Sequence, residues 1–176
     1  MHELREFIQD SLARARVPGF AIAIVKGDAV VLADGFGQRD READLPVTAD
    51  TLFAIGSCTK AFTTLALGIL VERGRIAWEQ PVREILPDFR LYDAFAGERL
   101  TVRDMVTHRS GLPLHDLVWY GASFTRDELV RRLRYLVPSR DLRQAWQYQN
   151  LMYAAAGHLV GVVAGCSWEE FIQREL

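Results

Sequence analysis

The sequence is poor in the features that would place it in a special class. It holds two cysteines in 176 residues, Cys58 and Cys166, and no Cys-x-x-Cys pair. That argues against a disulfide scaffold and against a zinc ribbon. An excess of one charge is missing as well: 21 Lys and Arg face 23 Asp and Glu, a net charge of −2. The chain therefore carries no electrostatic footprint for nucleic acid or an anionic membrane. Long apolar runs are absent; the longest weakly polar stretch, 151–165, contains His158 and falls short of the roughly 20 residues a membrane span needs. The start, Met1 to Glu6, lacks the basic residues and apolar run of a signal peptide, so the chain is expected to be cytoplasmic. The histidines at 2, 108, 115 and 158 show no metal-ligand spacing. No metal and no organic cofactor is implied.

What is there reads as one globular α+β domain, 49% apolar and 25% charged. Leu4, Phe7, Ile8, Leu12 and Ala15 recur at helical spacing until Pro18-Gly19. Phe20 to Val25 then reads as a strand with both faces covered, Gly27-Asp28 as a turn, and Ala29 to Gly35 as the returning strand. The small Ala21 and Ala23 suggest a helix packed closely on that hairpin. From residue 57 onward helices dominate. The first is expected over Ser57 to Arg73, apolar almost all round and buried, with Gly74 just past its end. Capping boxes at Thr125–Glu128 and Ser167–Glu170 start two later helices. Six arginines between 126 and 143 read as a solvated helix face. The division expected is 1–56, a helix and hairpin, and 57–176, a helical part.

Two clusters could do chemistry. In Gly56-Ser57-Cys58-Thr59-Lys60, Ser57 and Lys60 lie three apart and share one face if Ser57 opens the helix. The positive end of the helix dipole and the apolar surroundings favour an amine able to take the proton from Ser57. Free N–H groups at that end can stabilise an oxyanion. Alone, the same spacing also fits a capping serine beside a solvated lysine. The second cluster is Tyr148-Gln149-Asn150, ahead of an apolar helix from about Leu151. A phenol there can relay a proton and a carboxamide can hold a substrate amide; a core tyrosine and an N-cap asparagine are the plain alternative. Ser57 lacks the flanking glycines of a nucleophile elbow, and Gly56 to Lys60 is no P-loop. Cys58 is read as a buried packing residue, His108 as a structural hydrogen-bonding residue, and Gly157 and Gly161 as allowing close helix packing.

Phe53-x-Ile55-Gly56-Ser57-x-Thr59-Lys60, then Thr107-His108-Arg109-Ser110-Gly111-Leu112-Pro113, then Tyr148-x-Asn150, occur in that order. This pattern resembles the serine β-lactamase-like family of class C β-lactamases, D,D-carboxypeptidases and other penicillin-binding proteins, family VIII esterases and D-amino-acid peptidases. The resemblance runs from the strand at Phe20 through the helix after Asn150. It implies a β-lactamase/transpeptidase-like fold and a serine hydrolase acting through an acyl-Ser57 intermediate. By it Lys60 is the activating base, Tyr148 the second acid/base, and Asn150 a substrate contact. The substrates implied are small esters, β-lactams or D-amino-acid peptides, with esterase or peptidase favoured. Which of Lys60 and Tyr148 takes the first proton stays open; for related Ser-x-x-Lys enzymes a comparable choice is disputed.

The family's third motif, Lys/His-Thr/Ser/x-Gly, has no match after Asn150. The sequence is accordingly expected to hold the N-terminal part of the fold, with only one hairpin of its sheet. These residues alone are expected to be inactive, the sheet being completed by further residues, another chain or a second copy. The rival reading is a non-catalytic relative that binds a ligand or partner. Retention of Ser57, Lys60, Tyr148 and Asn150 together argues against it.

Overall fold

The computed structural model describes residues 2–176, which group into two compact units, one reaching to Ile55 and one of Gly56–Leu176. The first opens with α1 (His2–Ala15), whose buried residue is Ile8. Strands β1 (Gly19–Lys26) and β2 (Ala29–Asp40) pair antiparallel, Gly19 opposite Gly37 and Lys26 opposite Ala29, with a register shift at Ile24/Val25. The turn works because Gly27 takes φ +59°, open to glycine without strain. A third strand, β3 (Leu45–Pro46), pairs with the far end of β2. Two residues are too few to show a period of two, so the sequence does not announce it.

The hairpin differs from expectation in its covering. No β1 residue is buried, and Val25 is exposed. The core of this unit is small: Ile8, Leu32, Phe36 and Val47. The close approach occurs at glycine rather than at Ala21 or Ala23, and against a loop rather than a helix. A Cβ on Gly35 would lie 2.6 Å from the backbone of Val47 and Thr48.

The second unit contains α2 (Thr59–Glu72), α3 (Val82–Ile85), α4 (Ala94–Arg99), α5 (Val102–Val106), α6 (Arg126–Arg132), α7 (Asn150–Ala164) and α8 (Trp168–Glu175). Its centre is α7, which packs on α2, α5, α6 and α8. Leu151, Met152, Ala155, Ala156, Leu159 and Val160 of α7 are buried. They meet Ala66, Leu67 and Leu70 of α2 and Met105 of α5 in one core. The expectation that α2 is buried all round is corrected: its inner face is Thr63, Ala66, Leu67 and Leu70, while Phe62 and Leu65 are exposed. Gly74, at φ +64°, follows the helix as its sequence position suggests. Gly157 and Gly161 do admit close packing. A Cβ on Gly161 would come 2.9 Å from the Cys166 carbonyl, and one on Gly157 would sit 3.4 Å from the Trp168 indole.

Capping boxes start α6 at Thr125/Glu128 and α8 at Ser167/Glu170, as read from sequence, and α5 at Thr101/Asp104, which was not. There an aspartate performs the task usually given to Glu or Gln. Asp104 also anchors the arginine-rich stretch: Arg143 donates to both of its oxygens, with Nη2 at 2.7 Å. Burial works against the Asp104 charge, yet the hydrogen bonds from Arg143 and Thr101 outweigh it and hold its carboxyl below the usual value. Arg126 likewise grips Glu169 of α8, Nη1 at 3.0 Å. These two arginines are structural ties rather than members of a merely solvated face.

Candidate active site

The residues around Ser57 all belong to the second unit. Gly56–Cys58 form a single 3-10 turn that runs straight into α2. Residues three apart share a face in either helix geometry, so the step from the turn into α2 places Lys60 beside Ser57. The Lys60 Nζ donates to Ser57 Oγ at 3.0 Å. Gly56 adopts φ +52°, which lets the chain enter the turn. Cys58 points elsewhere, and it is exposed rather than buried, because α2 packs through its other face.

Tyr148 comes from the opposite side, on an irregular segment that leads into α7. Its hydroxyl is hydrogen-bonded to Ser57 Oγ, either oxygen being able to donate. The motif at 107–113 forms the bed on which this segment lies. The carbonyl of Gly111 accepts from Ser139 N, that of Arg109 from Arg143 N, and that of His108 from Gln147 N. Gly111 has φ +83°, and a Cβ there would collide with the Arg140 carbonyl at 2.2 Å, so glycine is required. His108 fastens both flanks of Tyr148. Beyond its carbonyl bond, its Nδ1 accepts from Gln149 N at 3.0 Å, and its ring stacks on the phenol at 4.6 Å between centroids. That bond needs an unprotonated Nδ1. Burial, with a smaller effect of the Lys60 charge, lowers the His108 pKa and so favours the neutral form. The structural role read for His108 thus has a stated geometry.

Asn150 is the first residue of α7, not its cap: Gln149 fills that place, its Oε1 accepting from Leu151 N at 2.8 Å. The Asn150 Oδ1 accepts from Lys60 Nζ at 2.7 Å. Lys60 also lies over two rings, 4.6 Å from the Tyr148 centroid and 5.3 Å from that of Tyr153. The adjacent Lys60 ammonium, followed by the hydrogen bond with Ser57, lowers the Tyr148 pKa from that of an ordinary phenol. Ser57, Lys60, Tyr148 and Asn150 therefore meet as one cluster.

Sequence reasoning missed three neighbours. Tyr153 shares a face with Asn150 at helical spacing, and its hydroxyl donates to the Val106 carbonyl at 2.8 Å; the α7 periodicity could have found it. Asp116 and Trp119 come from the 3-10 turn at Asp116–Val118 and its end, where no periodic signal exists. The Asp116 Oδ1 accepts from Asn150 Nδ2 at 2.9 Å and from Trp119 Nε1 at 3.0 Å. Beside Ser57 and Lys60 opens a cavity of about 410 Å³, walled by Trp119, Leu129, Tyr153, Ala154 and Trp168. Its size suits a small-molecule ligand with apolar parts. Among the described residues no cluster of His, Cys, Asp or Glu could hold a metal ion.

The family model for Beta-lactamase matches residues 4–176. The hydrolase of unguisins ungD' from Aspergillus campestris is 34% identical over 98% of this chain and 34% of its own length. Among solved structures, the octameric penicillin-binding protein homologue from Pyrococcus abyssi superposes with a TM-score of 0.83 at 33% identity, over 99% of this chain and 42% of that one. The D-amino acid amidase from Ochrobactrum anthropi SV3 does so with a TM-score of 0.79 at 26% identity, over 96% of this chain and 50% of that one. The chain thus spans about a third of the curated relative and up to half of these structures.

Proposed function

Because the chain belongs to the Beta-lactamase family, whose homologues are serine hydrolases, we propose that it acts by acyl transfer through an ester formed on Ser57. The observation that carries this reading is the three-way contact of Ser57 Oγ with Lys60 Nζ and the Tyr148 hydroxyl. A nucleophile needs a base within hydrogen-bond reach, and that base needs an orienting partner. Tyr148 is the base we favour. Its phenol is made more acidic by Lys60, and the same cation can stabilise the phenolate.

In the proposed cycle Tyr148 takes the Ser57 proton while Oγ attacks the carbonyl carbon. The oxyanion forms against N–H groups at the helix start. On collapse the leaving group departs with the proton from Tyr148, and the acyl group remains on Ser57. Water then attacks the ester and gives a proton to Tyr148, which returns it to Ser57 as the carboxylic acid leaves. The favoured substrates are esters and amides with an apolar acyl part, including D-amino-acid peptides. The apolar wall of the cavity and the amidase neighbour support that choice.

The test is pre-steady-state hydrolysis of a p-nitrophenyl ester by the protein expressed from its complete reading frame. We expect a rapid release of about one equivalent of p-nitrophenol before the steady rate, with an acylated protein trapped on quenching. Hydrolysis that proceeds with neither burst nor trapped adduct would contradict the acyl-serine cycle.

A further inference from the structure

We propose that Asp116 is a positioning residue that fixes the Asn150 carboxamide with its oxygen on Lys60 and its amide hydrogens toward Asp116 and substrate. The inference rests on the acyl-serine reading above and extends it to a residue outside the Ser57, Lys60 and Tyr148 cluster. Its ground is the polarity of the hydrogen bonds. An ammonium offers donors only, and a carboxylate offers acceptors only. A carboxamide has one face of each kind. Set between Lys60 Nζ at 2.7 Å and Asp116 Oδ1 at 2.9 Å, Asn150 satisfies both neighbours in a single orientation. Turning it over would bring amide hydrogens against Lys60 and its oxygen against Asp116, losing both bonds at once.

Asp116 is itself held in place. Its Oδ1 also accepts from Trp119 Nε1 at 3.0 Å, and its carbonyl accepts from Tyr120 N at 2.9 Å. One Nδ2 hydrogen of Asn150 is used on Asp116, so the other is the donor that can meet a carbonyl of the acyl group. Through Trp119, which also walls the cavity, Asp116 ties that donor to the space where the acyl group would sit. The chemistry so recognised is an acylamino group, an amide carbonyl close to the reacting one. Asp116 touches no reacting atom in this scheme; it acts through Asn150.

The experiment compares kcat/KM for the p-nitrophenyl ester of N-acetyl-D-alanine, which has such a carbonyl, with that for p-nitrophenyl acetate, which lacks it. In the complete protein, Asp116→Leu is expected to lower the ratio of the two by about tenfold, the scale of one charge-assisted hydrogen bond. Asp116→Asn keeps an Oδ1 acceptor and should hold the ratio within about threefold of wild type. Trp119→Phe keeps a ring but frees the carboxylate, and should lower the ratio by a smaller factor; it decides the matter should Asp116→Leu not fold. Equal loss on both esters, or an unchanged ratio in Asp116→Leu, or in Trp119→Phe where that variant decides, would overturn the role. Fluorophosphonate labelling of wild type separates the two readings. No label at Ser57 removes the acyl-serine reading itself, whereas a labelled Ser57 with an unchanged ratio removes only the role of Asp116.

Discussion

Tyr148→Phe is expected to cut p-nitrophenyl ester turnover by about 10²–10⁴-fold, the usual contribution of a general acid or base. The ring remains to stack on His108 at 4.6 Å, so melting temperature should change little. Only the hydroxyl on Ser57 is lost. The wild-type pH profile supplies a second check. A base works in its ionised form, and the neighbouring Lys60 ammonium lowers the Tyr148 pKa. The rise of kcat/KM with pH should therefore sit below the value near 10 of a free phenol. Replacing Lys60 with methionine should move that rise toward higher pH along with lowering the rate. Turnover by Tyr148→Phe within about threefold of wild type would return Tyr148 to a structural role.

Arg143→Leu is expected to cost about 2–3 kcal/mol of stability, toward the low side of broken buried ion pairs because the Arg143 side chain is 37% exposed. Asp104, at 6% side-chain exposure, would be left with a buried charge and only the Thr101 bonds. The pH dependence has a definite sign. Asp104 has a depressed folded pKa, so in wild type its contribution is present above the unfolded value near 4 and fades as pH falls through the folded one. In Arg143→Leu burial prevails, the carboxyl takes up a proton more readily, and the penalty shrinks on acidification. Urea unfolding at neutral pH and near pH 4 should show the gap between the two proteins narrowing. A gap that widens would place the effect elsewhere than in this pair.

The parts of the site that were legible are those a short spacing encodes. Ser57 and Lys60 lie one turn apart, and the apolar pattern after them marked a helix. Tyr148 and Asn150 were legible through the segment they share, although the spacing alone could not say that Gln149 would be the cap. Asp116 was not legible. It stands 34 residues before Asn150 in the chain, on a short turn whose position depends on tertiary packing. Burial was read least well. Cys58 is exposed, as are Phe62 and Leu65, because α2 packs only through the face of Thr63, Ala66, Leu67 and Leu70. Hydropathy records what a residue tolerates, while burial depends on which neighbours arrive. The hairpin illustrates the same point: its turn and pairing followed from local chemistry, whereas its covering did not.

The central claim is that Ser57 carries the acyl group, and locating the adduct tests it most directly. The protein from its complete reading frame is incubated with a fluorescent fluorophosphonate or penicillin, digested, and mapped by peptide mass spectrometry. The account predicts a single adduct on the peptide containing Ser57, lost in Ser57→Ala while the fold is kept. An adduct on another residue, or labelling that persists in Ser57→Ala, would contradict it.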